Sequence, residues 1–96
     1  MFRTLQKNVT TAGTPVQLAS DTAILSGREV LIKSKRGNTG VISIGYTSAT
    51  SLAAGSDCFK LNPGEACTVD VDNLNEIWLD CTVNGEGVEA LYQSQP

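Results

Sequence analysis

Across residues 28–36, 41–46, 66–72 and 76–83, apolar side chains recur at every second position, and no stretch sustains helical spacing. In "REVLIKSKR", Val30 and Ile32 point one way and Glu29, Lys33 and Lys35 the other. "VISIGY" puts Ile42, Ile44 and Tyr46 on one face. "ACTVDV" puts Cys67, Val69 and Val71 inward and Thr68, Asp70 and Asp72 outward, and "EIWLDCTV" puts Ile77, Leu79, Cys81 and Val83 inward. The closest thing to a helix, "TSATSLAAGSD" (47–57), is too polar and too short to bury a helical face. A chain patterned in this way folds as sheets with one dry and one wet side.

The punctuation between these segments is turn chemistry. "GNTG" (37–40), with two glycines able to take positive φ, predicts a hairpin between 28–36 and 41–46. In "NPGE" (62–65), Pro63 and Gly64 occupy the second and third positions of a type II turn. "NGEG" (84–87) is a further tight turn, and "NVTT" and "TPVQL" are short extended pieces around Gly13. Seven to eight short strands with turn signals every eight to twelve residues predict an all-β fold. The expected architecture is a small antiparallel β-sandwich or jelly-roll-like domain. Ninety-six residues make one such domain, here placed at 8–93, with 94–96 as a polar tail. Residues 1–7, "MFRTLQK", are expected to be an extended N-terminal arm that docks on a partner through Phe2 and Leu5, beside Arg3.

Composition narrows the chemistry. No apolar run approaches the ~20 residues that span a bilayer, and the opening residues lack the apolar core of a signal peptide. Neither a membrane partner nor secretion is therefore expected. Cys58, Cys67 and Cys81 are an odd, widely spaced set, which reads as reduced thiols. The net charge of −3 argues against bulk nucleic-acid binding. Charge is nevertheless uneven, +4 over residues 1–48 and −7 over 49–96. Either the two halves lie side by side and offset each other, or a partner reads the polarity.

With no histidine, the common nucleophile schemes and the commonest zinc ligand are absent. No phosphate-cradling glycine loop opens a helix. The basic group Lys33, Lys35 and Arg36 lacks interleaved aromatics and reads as a solvated strand side that could serve an interface. Five carboxylates crowd into "LNPGEACTVDVDNLNEIWLD" (61–80). Its Asp70–Glu76 stretch superficially resembles a calcium loop, yet Leu74 stands where that loop needs other chemistry and no glycine follows. Alternation puts Asp70, Asp72 and Asp80 in water, so no metal, cofactor or catalytic residue is expected. Trp78 would then face outward between Glu76 and Asp80, either as an interface residue or packed under the 47–57 loop.

From Val9 to Tyr92 the chain resembles small structural proteins of tailed-bacteriophage virions. The resemblance rests on "TPVQL", "NTGVISIG", "LNPGE", "DVDNLNEI" and "NGEGVEALY" in that order. It implies a head decoration (cement) protein that binds the outside of a capsid, contacts the major capsid protein and itself as a dimer or trimer, and has no enzymatic activity. It also implies synthesis in the bacterial host cytoplasm and residence on the capsid surface. A tail, head–tail connector or head-fibre component is the alternative, followed by a host carbohydrate- or calcium-binding adhesion module.

Overall fold

Eight strands among the described residues are arranged as two four-stranded antiparallel sheets. The computed structural model describes residues 2–25, 28–55 and 58–94. The strands are β1 (Phe2–Asn8), β2 (Val16–Gln17), β3 (Val30–Ser34), β4 (Ile42–Gly45), β5 (Phe59–Leu61), β6 (Ala66–Val69), β7 (Trp78–Cys81) and β8 (Gly87–Gln93). Sheet A runs β1-β8-β3-β6 and sheet B runs β2-β7-β4-β5. This is the strand order of a jelly roll. The first strand pairs with the last, β2 with β7, β3 with β6 and β4 with β5; rolling the ribbon then brings β3 beside β8 and β4 beside β7.

One core lies between the sheets. Val30, Ile32, Val88 and Ala90 come from sheet A, and Ile42, Ile44, Leu61, Leu79 and Cys81 from sheet B. Val9, Leu18, Ile24, Leu74 and Ile77 close the two ends. A fully buried side chain such as Ile32 or Leu79 contributes about 1.5–3 kcal/mol through the apolar surface it hides. The expected inward sets of β3, β6 and β7 hold for Val30, Ile32, Cys67, Val69, Ile77, Leu79 and Cys81. Val83 does not follow: it lies past the end of β7 and is 39% exposed.

Two further expectations give way to the roll. Residues 2–7 are extended, but as most of edge strand β1, paired along its length with β8, rather than as a free arm. Leu5 faces inward against the core. Phe2 joins the ladder opposite Gln93, and its side chain lies outside the described residues, as does Met1. Of the expected tail, Ser94 bridges to Ile24, while residues 95 and 96 are outside the described set.

The expected β3–β4 hairpin is absent, because β3 belongs to sheet A and β4 to sheet B. Residues 35–41 form a corner between sheets, and neither Gly37 nor Gly40 takes positive φ. Side chains hold the corner instead. Buried Asn38 donates from Nδ2 to Ser34 Oγ (3.0 Å) and to the Gly87 carbonyl (2.8 Å). The Glu86 carboxylate accepts from Thr39 N, Thr39 Oγ1 and Gly40 N at 2.7, 2.9 and 2.8 Å. The "NPGE" turn forms as expected, with Gly64 at φ 83° and Glu65 N donating to Asn62 O at 3.0 Å.

At Gly87 the end of β1 packs directly against β8. A Cβ there would run into the Lys7 carbonyl and the Asn8 backbone. Gly87→Ala is therefore expected to spread the β1–β8 ladder and destabilise the fold by about 1–3 kcal/mol. Urea unfolding should show a lower midpoint at unchanged m-value.

Candidate functional site

The two outer faces of the sandwich differ in what covers them. On sheet B the segment 46–55 lies back over β4 and β7. The Thr50–Ser51 backbone presses against Gly45, where a side chain would collide with it. Ser43, fully buried, donates from Oγ to the Ser51 carbonyl. Asp80, expected in water, is only 1% exposed. Its Oδ1 accepts from Gly13 N at 2.9 Å and its Oδ2 from Ala53 N at 2.8 Å. The alternation had assigned it correctly to the outer face, but that face is dry. Asp80 ties the 9–15 segment and the 46–55 segment to the centre of sheet B.

Two of the remaining acids in 61–80 serve local turns. Glu65 accepts from Asn62 N at 2.6 Å. Glu76 accepts from Asp72 N and Asn73 N at 3.1 and 2.9 Å, completing a capping box with Asn73 around the one-turn 3₁₀ helix Leu74–Glu76. Asn73 also holds Asp21 through a 2.6 Å hydrogen bond. Asp70 and Asp72 stand exposed, and the described residues contain no cluster of three or more His, Cys, Asp or Glu side chains placed to hold a metal ion. Cys58, Cys67 and Cys81 are all unpaired. Burial pushes the Cys67 and Cys81 thiols up, away from the reactive thiolate.

The side chains expected at an interface do not share one surface. Arg3 and Leu5 lie on β1 at one edge of sheet A, Leu5 turned inward. Lys33 lies on the outer face of the same sheet, 3.9 Å from Glu89. Lys35 reaches over side-chain-free Gly87 to donate to Asn8 Oδ1 at 2.8 Å. Arg36 is exposed in the 35–41 corner. Trp78 belongs to sheet B, partly buried between Gln17 of β2 and Gly45 of β4, beside the covering segment. The two halves of the chain alternate strand by strand in both sheets, and in sheet A this sets Lys33 of β3 beside Glu89 of β8.

Aromatic exposure falls elsewhere. Tyr46, just past the end of β4, is 75% exposed, and Phe59, at the start of the neighbouring strand β5, is 59% exposed. Phe59 sits opposite buried Ile44 in the ladder and so projects from the inward side of an edge strand, at the open lip of the sandwich. The alternation placed Tyr46 inward, and only the shortness of β4 could have warned otherwise. Sheet A presents the other uncovered surface. Adjacent Leu31 and Leu91 are 37% and 36% exposed above a shallow groove of about 380 Å³.

Asp80→Ala removes the acceptor of two part-buried N–H groups, and a loss of about 1–3 kcal/mol is expected, with faster amide exchange at Gly13 and Ala53. At the 35–41 corner, hydrogen bonds from Thr39 and Gly40 N–H lower the Glu86 pKa from its ordinary 4.5. That contribution is complete above the unfolded value and is lost as pH falls through the lowered folded value. Glu86→Gln is expected to flatten this acid limb of stability, read from melting temperature against pH. Comparison of the chain with protein-family models, with characterised proteins and with solved structures gives no match.

Proposed function

We propose that this protein is a non-enzymatic structural subunit of a tailed-phage virion that binds the outside of the capsid and stabilises the shell of major capsid protein. The observation that carries the reading is where the large uncovered side chains lie. Tyr46 and Phe59 stand on the outside of a small jelly roll, and Glu65, Glu76 and Asp80 are engaged in turns and a buried clamp. Exposed aromatics of this kind anchor interfaces by filling pockets on a partner. The jelly roll itself recurs in viral capsid proteins and equally in lectins, so fold alone decides nothing. The ordered sequence resemblance is what favours the virion. Many modest contacts repeated over a lattice supply avidity without a large individual interface.

Cryo-electron microscopy of particles carrying the protein tests the assignment. Density of the size of this domain is expected on the outer capsid surface; density confined to the tail or the head–tail junction would overturn the capsid role. Tyr46→Ala and Phe59→Ala are each expected to weaken attachment to capsids by about 2 kcal/mol, roughly thirtyfold. The melting temperature should hardly move, because both side chains are largely in water.

A further inference from the structure

We infer that the outer face of sheet A is where a second copy of this chain docks, face to face, with the strands of the two copies antiparallel. The ladder registers define the face. One row across the sheet is Thr4, Leu91, Leu31 and Thr68; the next is Gln6, Glu89, Lys33 and Ala66. The leucines are centrally placed and uncovered, and the groove beside them is lined by Thr4, Gln6, Lys33 and Glu89. In contrast to sheet B, no segment of the described chain lies over these leucines.

Charge complementarity selects the occupant. Outward positions along β3 and its approach read Glu29, Leu31, Lys33, Lys35: one acid, the apolar centre, then two bases, whose end stays net positive although Glu89 of β8 lies beside Lys33. Asp70, exposed just past β6, adds a second acid on the Glu29 side. Turning a second copy over about an axis through the leucine row, perpendicular to the strands, lays β3 antiparallel on its equivalent. Glu29 then meets Lys33 of the other copy, twice by symmetry, while Leu31 and Leu91 meet their equivalents between the two ion pairs. The parallel arrangement would stack base on base and acid on acid. Lys33 is free to turn outward, because its contact with Glu89 is long at 3.9 Å and both side chains are well exposed.

The size fits a weak dimer. Strands of seven, seven, five and four residues, at about 3.3 Å per residue and about 4.8 Å apart, give a face of roughly 360 Å². That is the scale of a small, transient interface, below the roughly 800 Å² per partner of a standard one. Aligned packing about 10 Å apart is a common way for two sheet faces to meet. The inference does not depend on the virion reading, since it concerns the purified chain alone.

Sedimentation equilibrium of the purified protein from about 1 μM to about 1 mM tests it, the range over which an interface of this size saturates. A reversible dimer of the 10.1 kDa chain is expected. Leu91→Asp should abolish it, with circular dichroism and melting confirming that the variant folds. Lys33→Glu and Glu29→Lys should each weaken the homodimer by about tenfold or more, and an equimolar mixture of the two should recover association as a heterodimer. A wild-type chain that stays monomeric throughout overturns the inference. So does a dimer indifferent to all three substitutions, which would place the contact on another face. If the monomeric wild type loses capsid attachment on Leu91→Asp, the face belongs to the capsid and not to a second copy.

Discussion

A chain rolled so that its first strand pairs with its last cannot be held together by hairpin turns. Only β4 and β5 are both consecutive and hydrogen-bonded to each other, and a thirteen-residue segment separates them. Every other connection carries the chain from one sheet to the other. The corners must therefore be fixed by side chains arriving from distant parts of the sequence. Asn38 and Glu86 do this for the 35–41 corner, reaching the β7–β8 connection and the start of β8. Because Gly87 has no side chain, Lys35 can cross it to Asn8 and β1 can close on β8. Corner, edge strand and closing strand thus form one mechanical unit at this end of the sandwich.

Asp80 plays the corresponding part on sheet B. A buried carboxylate is tolerable where each oxygen finds a donor, and here two backbone N–H groups from separate segments supply them. Those segments, 9–15 and 46–55, would otherwise leave amides unsatisfied against a dry sheet face. The carboxylate and the covering chain require each other. With both of its oxygens engaged by backbone N–H groups, Asp80 works as a structural acid.

What the sequence made legible was local and periodic. Val30 and Ile32, Ile77 and Leu79, and the Pro63–Gly64 turn follow from side-chain alternation and backbone preference, and each stands as expected. The β3–β4 pairing failed because "GNTG" constrains four residues, whereas sheet membership is decided by β6, β7 and β8 far along the chain. Asp80 failed for a related reason. Alternation separates two faces but cannot say whether the outer one is wet, and the 46–55 segment that dries it carries no periodic signal. "FRTLQK" looked like an arm because its partner strand, "GVEALYQ", lies at the opposite end of the sequence. The exposure of Tyr46 and Phe59 depends on where β4 ends and on β5 being an edge, neither of which a single strand reveals.

The asymmetry between the sheets bears most directly on what the molecule does. Sheet B supplies its own cover over Asp80, and its exposed aromatics, Tyr46 and Phe59, lie toward its lip. Sheet A has a comparable apolar centre in Leu31 and Leu91 but no cover from the described chain. Two exposed leucines alone would be ordinary on a small protein. Their placement on the two central strands of that face, between an acid at one end of β3 and bases at the other, is what supports the proposed self-association. A domain built in this way has two separable surfaces. On the proposed virion and self-association readings, Tyr46 and Phe59 would serve one contact and Leu31 and Leu91 the other, from different sheets of one core.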